Sequence, residues 1–204
     1  ILFGTKTLFV RLAGCPYSCF YCDTLDALPL DSGKEYSITE ACNLIDSNLQ
    51  DNTFKVNFTG GEPLIQWEHW KILDRLEELN RTDMKLVYNT NFSTMKYKQR
   101  HITEYWKKFS DVKLLLSLDG MEKGAEYWRN GTKWDKLVEN IKKVKKETPH
   151  VYMGVTCTVG WANLYTAMDF IDYCADSANP NDVDDFTFLD PVRININVLE
   201  QPIH

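Results

Sequence analysis

Three closely spaced cysteines lie in the stretch GCPYSCFYCDT (residues 14–24), directly after the apolar run LFVRL (residues 8–12). Their spacing is C-x3-C-x2-C, so Cys15, Cys19 and Cys22 can hold one metal centre. Thiolates select zinc, copper(I) or iron–sulfur clusters. A structural zinc site takes four protein ligands, whereas three thiolates on a 4Fe-4S cluster would leave one iron open to a small molecule. Two alternatives stay open: a zinc knuckle with a distant fourth ligand, and a disulfide with a spare thiol.

The composition indicates one acidic domain. Lys and Arg number 23 against 29 Asp and Glu in 204 residues, and the net charge of −6 argues against nucleic-acid binding. We expect a single domain over 1–204, in which 175–204 form the last loop and strand or begin a short C-terminal extension. The sequence has no membrane-spanning run and no signal-peptide pattern, which predicts a cytoplasmic protein. It opens on Ile1, so we expect a few native residues upstream.

The remaining cysteines are far apart in sequence. Cys42, Cys157 and Cys174 are predicted to be buried small apolar side chains and not metal ligands.

Predicted strands and helices alternate along the chain. The strands are expected at 8–12, 54–59, 84–88, 112–118, 151–159 and 192–199. The helices are expected at 38–49, 67–79, 98–109, 134–144 and 164–175. This alternation predicts an α/β fold with a parallel sheet.

Polar and apolar residues alternate within the strands, as in residues 54–59 (FKVNFT) and 193–198 (RININV). A doubly wound sheet is covered by helices on both faces, so its strands should be almost continuously apolar. One apolar and one polar face instead predict a partial (β/α)6 TIM-like barrel with a polar lumen.

Three further motifs follow or end predicted strands, and a fourth lies within the fifth strand. They are GGEP (residues 60–63), NTN (89–91), SLDG (117–120) and YMGV (152–155). Because the loops after the strands form the active face of a parallel barrel, these motifs are expected to meet near the cysteines.

The C-x3-C-x2-C segment followed by GGEP resembles the radical S-adenosylmethionine (SAM) enzymes. The resemblance implies that Cys15, Cys19 and Cys22 bind a 4Fe-4S cluster whose open iron is chelated by the amino and carboxylate groups of SAM. It also implies reductive cleavage of SAM to a 5′-deoxyadenosyl radical that abstracts hydrogen from a substrate. A low-potential electron donor such as flavodoxin or ferredoxin would then be a partner.

The same resemblance assigns SAM contacts. Gly60, Gly61 and Glu62 match the motif that receives the SAM ammonium, although the glycines alone would indicate only a tight turn. Tyr21 matches an aromatic residue that packs against adenine, and Val155, with Gly154, matches another adenine-contact region.

Four polar residues match further SAM-contact positions. Ser117 and Asp119 match residues that contact ribose or carboxylate, and Asn91 is a candidate of the same kind. Arg129 resembles an arginine used on the SAM carboxylate. The alternatives are a strand end capped by a turn for Asp119, ordinary strand packing for Val155, and solvent exposure for Arg129.

The two halves of the chain resemble different relatives. Residues 9–15, 22–24 and 60–64 look like 7-carboxy-7-deazaguanine synthase and the organic-radical-activating enzymes, and in the synthases the residue that matches Thr24 helps to bind Mg²⁺. Residues 117–141 look like uncharacterised radical SAM proteins with a reduced C-terminal extension, many of whose cousins modify peptides.

Cationic side chains on the polar strand face favour a small anionic substrate such as a carboxylated pterin. Arg11, Lys113 and Arg193 fall on that face with only Asp119 opposing them. The expected substrate residues are Asn57, Lys113, Arg193 and Asn195. The alternatives are a peptide- or protein-modifying radical SAM enzyme or glycyl-radical-type activase, which would have a peptide partner, and a non-catalytic zinc module.

Overall fold

Six parallel strands form one sheet in this computed structural model, which describes residues 6–17, 22, 25–49, 53–160, 163–176 and 194–198. The strands are β1 (Lys6–Leu12), β2 (Thr53–Gly60), β3 (Lys85–Thr90), β4 (Asp111–Ser117), β5 (Tyr152–Val159) and β6 (Ile194–Val198). Each strand pairs in parallel with the next one along the chain.

Helices occupy the connections between the strands. They are α1 (Ile38–Asn48), α2 (Trp67–Glu78), α3 (Ile102–Trp106), α4 (Glu122–Trp128), α5 (Trp134–Glu147) and α6 (Leu164–Asp176). Short 3-10 turns lie at Leu25–Ala27, Leu30–Ser32 and Pro63–Ile65, and Lys96–Tyr97 pairs with Arg100–His101 in an antiparallel hairpin.

The strand order places the helices on one side of the sheet. Because crossovers between parallel strands are right-handed and the spatial order follows the chain without reversal, successive helices pack on the same face. A doubly wound sheet would reverse its order at a switch point. The predicted partial (β/α)6 barrel is therefore confirmed.

Side-chain alternation gives the sheet two different faces. Val56, Phe58, Leu114 and Leu116 have no exposed surface and belong to the hydrophobic core under the helices. The intervening residues, such as Lys113, point to the opposite side because successive side chains of a strand alternate. We call that opposite side the inner face.

Helix α1 begins as the sequence predicts. Ser37 accepts a hydrogen bond from the backbone N–H of Glu40, whose carboxylate accepts one from the backbone N–H of Ser37. This capping box satisfies two N–H groups that the helix cannot pair internally.

The predicted helix at 98–109 is wrong at its start, and α4 was not predicted. Residues 96–101 form the hairpin because Lys98 takes a left-handed turn (φ 54°) and Arg100 is held by the carboxylate of Asp74 at 2.9 Å. Helix α4 escaped prediction because it is short, contains Gly124 and buries only Ala125, so it has no apolar period.

The cysteines outside the 14–24 segment are largely internal. Cys157 and Cys174 are fully buried, and burial raises the pKa of each thiol to about 12, so both behave as apolar core residues. Cys42 is only partly buried. None of the helices in the described ranges is both long and apolar enough to span a bilayer.

Candidate active site

The backbone that leads into Cys15 is held by the segment after β2. The Leu12 carbonyl accepts a hydrogen bond from the Gly61 N–H at 2.8 Å. The next two carbonyls, of Ala13 and Gly14, both accept from Nε2 of Gln66, at 2.7 and 2.9 Å. Three consecutive carbonyls are thus tied to one short segment.

The N–H groups of the same loop are held from the other side. Gly14 N–H donates to the Ala27 carbonyl at 2.8 Å, and Cys15 N–H donates to the Leu28 carbonyl at 3.2 Å. The backbone before and at Cys15 is therefore fixed by protein contacts alone.

Gly60, which ends β2, and Gly61, which follows it, are required by this close approach. Gly60 has φ +96°, and a Cβ there would lie 2.4 Å from the Leu12 carbonyl oxygen. A Cβ on Gly61 would lie 2.7 Å from Nε2 of Gln66. Larger residues would separate the GGEP motif from the cysteine loop.

The thiols suit an iron–sulfur cluster in their chemistry and position. Cys15 and Cys22 form no disulfide and are partly exposed, in the loop after β1 at the carboxyl edge of the sheet. Cys19 lies outside the described residues, and within them no group of three His, Cys, Asp or Glu side chains converges on a metal position. Soft sulfur donors on a pre-fixed backbone fit a cluster held by thiolates.

Glu62 is a buried carboxylate that braces the end of β3. The Thr90 hydroxyl donates to Oε1, the Asn91 N–H donates to Oε2 at 2.8 Å, and the Leu64 N–H lies 3.5 Å from Oε1. Burial raises the pKa of Glu62 to about 7, because these neutral donors only partly replace water around the charge. The GGEP segment therefore forms a tight turn and also carries a buried carboxyl group.

The loop after β3 connects Glu62 to the cysteine loop. Oδ1 of Asn91 accepts from the Ser93 N–H at 3.1 Å, and the Ser93 hydroxyl hydrogen-bonds the Tyr17 hydroxyl at 2.7 Å. Phe92 between them is buried at φ +57°, a strained conformation for a non-glycine residue. Asn91 thus lies beside Glu62, as the sequence predicts.

Asp119 and Arg129 form one buried ion pair. Nε of Arg129 lies 2.7 Å from Oδ2 of Asp119, and the Thr158 N–H donates to Oδ1 at 2.6 Å. Asp119 has no exposed surface, and the Arg129 side chain is 18% exposed. The solvent-exposed alternative for Arg129 is wrong, and Asp119 joins the ends of β4 and β5.

Ser117 and Val155 lie on opposite faces of the sheet. Ser117 is partly buried on the inner face, where it pairs in register with Thr156. Val155 is fully buried among the core residues on the helix side. Ordinary strand packing therefore accounts for the Val155 side chain, and only backbone there and at Gly154 is left for a ligand.

A row of residues crosses the inner face at the level of the expected substrate residues. Strand register aligns Phe9, Asn57, Val87, Lys113 and Tyr152 in that order. Nζ of Lys113 lies 5.0 Å from the centre of the Tyr152 ring, and Oδ1 of Asn57 is buried without a hydrogen bond from any described residue. Asn57 and Lys113 thus lie at one level, with Val87 between them.

The charge of the inner face is more balanced than the sequence suggested. Arg11 forms an ion pair with Asp26 in the following loop at 3.1 Å, and Lys85 pairs with Asp111 at 2.7 Å. The expectation that Asp119 alone opposes the cations is therefore wrong. Arg11, on the edge strand β1, reaches a carboxylate in a loop, whereas Lys85 pairs with the residue beside it in register on β4.

The side chains of five predicted site residues are not described. Cys19, Tyr21, Thr24 and Arg193 lie outside the described residues. For Asn195 only the backbone is described, and it pairs in register with Thr156.

Sequence reasoning missed several residues that build the site. Gln66 carries no motif signal, because it lies past GGEP at the start of α2. Tyr17 and Ser93 meet across a sequence separation of 76, which no local pattern reveals. Thr90 differs from these residues, because it lies within the NTN motif and could have been identified from the sequence.

Comparisons with known proteins agree on one family. The Radical SAM superfamily model matches residues 10–163. The 7-carboxy-7-deazaguanine synthase of Methanothermobacter thermautotrophicus is 30% identical over 107 residues, which are 52% of this chain and 41% of that protein. That of Hyperthermus butylicus is 43% identical over 88 residues, which are 43% of this chain and 35% of that protein. This chain thus spans less than half the length of either relative.

A solved structure gives the same fold. Native anSMEcpe with bound AdoMet and Kp18Cys peptide aligns over 96% of this chain and 52% of its own, with a TM-score of 0.67 at 17% identity. This likeness concerns the fold alone. Since the family model spans most of the chain, from within β1 to the start of α6, the chain belongs to the radical SAM superfamily.

Proposed function

We propose that the protein is an enzyme that binds a 4Fe-4S cluster through Cys15, Cys19 and Cys22 and reductively cleaves SAM. The bound cluster would supply one electron, which splits SAM into methionine and a 5′-deoxyadenosyl radical able to take a hydrogen atom from a substrate. The observation that carries this proposal is the attachment of the Cys15 loop to the Gly61–Gln66 segment through three consecutive carbonyls. A low-potential donor such as flavodoxin or ferredoxin would provide the electron.

The strand-end residues suit SAM in charge. Glu62 is a buried acid whose described donors are neutral. The N–H groups of the SAM amino group would donate a charge-assisted hydrogen bond to its carboxylate. Arg129 is oriented by Asp119 and would face the SAM carboxylate. Ser117 and Asn91 would contact ribose or carboxylate, and Tyr21 and the backbone at Gly154 and Val155 would contact adenine.

The proposed substrate is a small anionic heterocycle such as a carboxylated pterin. Support comes from the relatives named 7-carboxy-7-deazaguanine synthase, at 30% and 43% identity. On the inner face, Lys113 would attract the carboxylate and Asn57 would hydrogen-bond the ring, with Arg193 and Asn195 as further contacts. Thr24 would contribute to a Mg²⁺ site at the substrate, like the matching residue of the synthases.

A peptide or protein substrate is the second candidate. Large apolar side chains at the start of α6 are exposed, with Leu164 at 45%, Tyr165 at 85% and Met168 at 49%. They follow β5 at the carboxyl edge of the sheet, where an exposed apolar patch suits a macromolecular partner. Two of the inner-face cations, Arg11 and Lys85, are also already paired.

Product analysis separates the two candidates. Reduced, reconstituted protein is incubated anaerobically with SAM and a carboxylated pterin, and 5′-deoxyadenosine and product mass are measured. We expect a new pterin-derived product. Lys113→Met should lower its formation by roughly tenfold, as loss of one charged contact implies, without lowering substrate-free SAM cleavage. The matched control is Lys136→Met, on the exposed face of α5.

A clustered, SAM-cleaving protein that leaves the pterin unchanged would exclude the small-heterocycle substrate. Stimulation of 5′-deoxyadenosine formation by a peptide would then support the second candidate.

A further inference from the structure

Gln66 occupies the junction between the GGEP turn and the next helix. It is the residue after the 3-10 turn Pro63–Ile65 and the N-cap position of α2. An N-cap side chain usually accepts hydrogen bonds from the first N–H groups of its helix. The Gln66 side chain makes no such bond, and reaches back to the cysteine loop.

The Gln66 amide uses both of its N–H groups on that loop. Nε2 donates to the carbonyls of Ala13 and Gly14, at 2.7 and 2.9 Å. Because only the nitrogen end of a glutamine amide can donate, two carbonyl partners fix which end faces the loop. The Gly14 carbonyl belongs to the peptide group whose nitrogen is that of Cys15, so Gln66 sets the orientation of the peptide before this thiol.

This arrangement affects the oxygen end of the same amide. Oε1 of Gln66 is buried and has no hydrogen bond from any described residue. Buried acceptors are normally satisfied, and an exception calls for an explanation. The bonds to the two carbonyls explain this exception. They require the amide nitrogen to face the loop, which leaves the oxygen without a hydrogen bond from any described residue.

Gln66 also packs against the GGEP motif. A Cβ on Gly61 would lie 2.7 Å from its Nε2, so the side chain fills the space between Gly61 and the loop. One side chain therefore contacts both the peptide before Cys15 and the turn that carries Glu62.

We propose that Gln66 is a positioning residue that couples the cysteine loop to the Gly60–Glu62 turn. It holds the Cys15 peptide in its ligating orientation before metal enters, and it fixes the spacing between the thiols and the SAM ammonium site. This inference rests on the proposed function, since it assigns a cluster to the loop and SAM to the turn.

The test uses two variants of nearly equal length that cannot donate these bonds. Gln66→Met replaces the amide by an apolar group, and Gln66→Glu places carboxylate oxygens against the carbonyls. Gln99→Met, at an exposed position, is the control. Iron and sulfide content, iron loss to a chelator, the EPR spectrum of the reduced cluster with and without SAM, and the melting temperature of the metal-free protein are measured.

We expect Gln66→Met to take up a cluster, to lose iron to the chelator about tenfold faster than the wild type, and to bind SAM about tenfold more weakly. The SAM-induced change in its EPR spectrum should be smaller. Gln66→Glu should be more severely affected, and Gln99→Met should match the wild type. Wild-type iron loss and EPR response in Gln66→Met, even with a lowered melting temperature, would overturn the inference and leave the proposed function standing.

Amide hydrogen exchange on the metal-free protein provides a test that needs no cluster. The amides of Gly14 and Cys15 donate to the Ala27 and Leu28 carbonyls, so they should exchange slowly in the wild type and faster in Gln66→Met, where the Gly14 carbonyl is no longer held. Equal exchange in the two proteins would overturn the inference while cluster uptake still supported the proposed function. A wild-type protein that takes up no cluster would overturn both.

Discussion

Two buried carboxylates lie at the carboxyl edge of the sheet, one after β2 and one after β4, and their partners differ. Asp119 faces the guanidinium of Arg129 at 2.7 Å and the Thr158 N–H at 2.6 Å. The described donors on Glu62 are the Thr90 hydroxyl and backbone N–H groups, all of them neutral.

This difference supports the proposal that Glu62, and not Asp119, is the carboxylate that binds a ligand. A buried charge is tolerated when an opposite charge compensates it, and Arg129 does this for Asp119. Glu62 accepts hydrogen bonds from neutral donors. Burial is the largest effect on its pKa and raises it to about 7, although the charge of Arg129 lowers it. A strong N–H donor entering beside Glu62 would stabilise its charged form, which supports the proposal that the SAM amino group binds at this end of the site.

The largest effect is expected where the compensating charge is removed. Arg129→Met leaves the Asp119 carboxylate buried and without its guanidinium, so the free energy of unfolding should fall by about 3–5 kcal/mol. Urea unfolding of the metal-free protein measures this. Lys136→Met breaks an exposed ion pair with Glu139 and should leave stability unchanged. An Arg129→Met variant as stable as the wild type would remove the distinction between the two carboxylates.

Glu62→Gln tests the other carboxylate. The glutamine oxygen can still accept from the Asn91 N–H and its amide can donate to the Thr90 hydroxyl, so the fold and cluster content should persist. Loss of a charged hydrogen bond costs about 1.5–3 kcal/mol, so SAM binding should weaken by roughly ten- to hundredfold in calorimetry. Unchanged affinity would mean that Glu62 only braces β3.

The raised pKa of Glu62 predicts opposite pH trends for stability and for SAM binding. Its folded pKa, about 7, lies above its ordinary 4.5. Its contribution to stability is therefore full below pH 4.5 and is lost as pH rises through about 7. SAM binding should instead strengthen over the same range, by up to about tenfold, because the SAM amino group donates a stronger hydrogen bond to a carboxylate than to the neutral acid.

Dissociation constants for SAM at about pH 5.5 and about pH 8 measure the second trend. In Glu62→Gln, the part of the pH dependence of SAM binding that comes from the titration of Glu62 should disappear. The same dependence in both proteins would place the titrating group elsewhere.

A smaller effect is expected from Thr90→Val. The change removes the hydroxyl that donates to Glu62 and accepts from the Phe92 N–H at 2.9 Å. Two neutral hydrogen bonds suggest a loss of about 1–2 kcal/mol in the free energy of unfolding. Thr166→Val, which removes a hydroxyl that donates to the Asn163 carbonyl at an exposed position of α6, should cost less. Equal losses would show that the Glu62 end is no more sensitive than the surface.

The sequence predicted the sheet well because its signals are local. Alternation in residues 54–59 separates the core side chains Val56 and Phe58 from Asn57 on the inner face, and the structure keeps that division. Helix α1 was equally predictable from the spacing of Ser37 and Glu40. Helix α4 was not, because Gly124 and a single buried alanine leave no apolar period.

The site was predicted only as far as its motifs extend. Glu62 and Asn91 were expected to lie together, and they do. The pairing of Asp119 with Arg129 could not be foreseen, since both were assigned to a ligand and nothing in a ten-residue separation indicates a contact. The bonds of Gln66 depend on how closely β1 and β2 end together, which only the folded chain determines.

Anaerobic reconstitution followed by metal analysis and EPR determines whether Cys15, Cys19 and Cys22 hold a 4Fe-4S cluster that binds SAM. We expect about four irons and four sulfides per chain, and a spectrum of the reduced protein that changes when SAM is added. Changing the three cysteines to Ala should abolish both. One tightly bound zinc in place of the cluster, or iron retained by the triple variant, would show that they hold no such cluster.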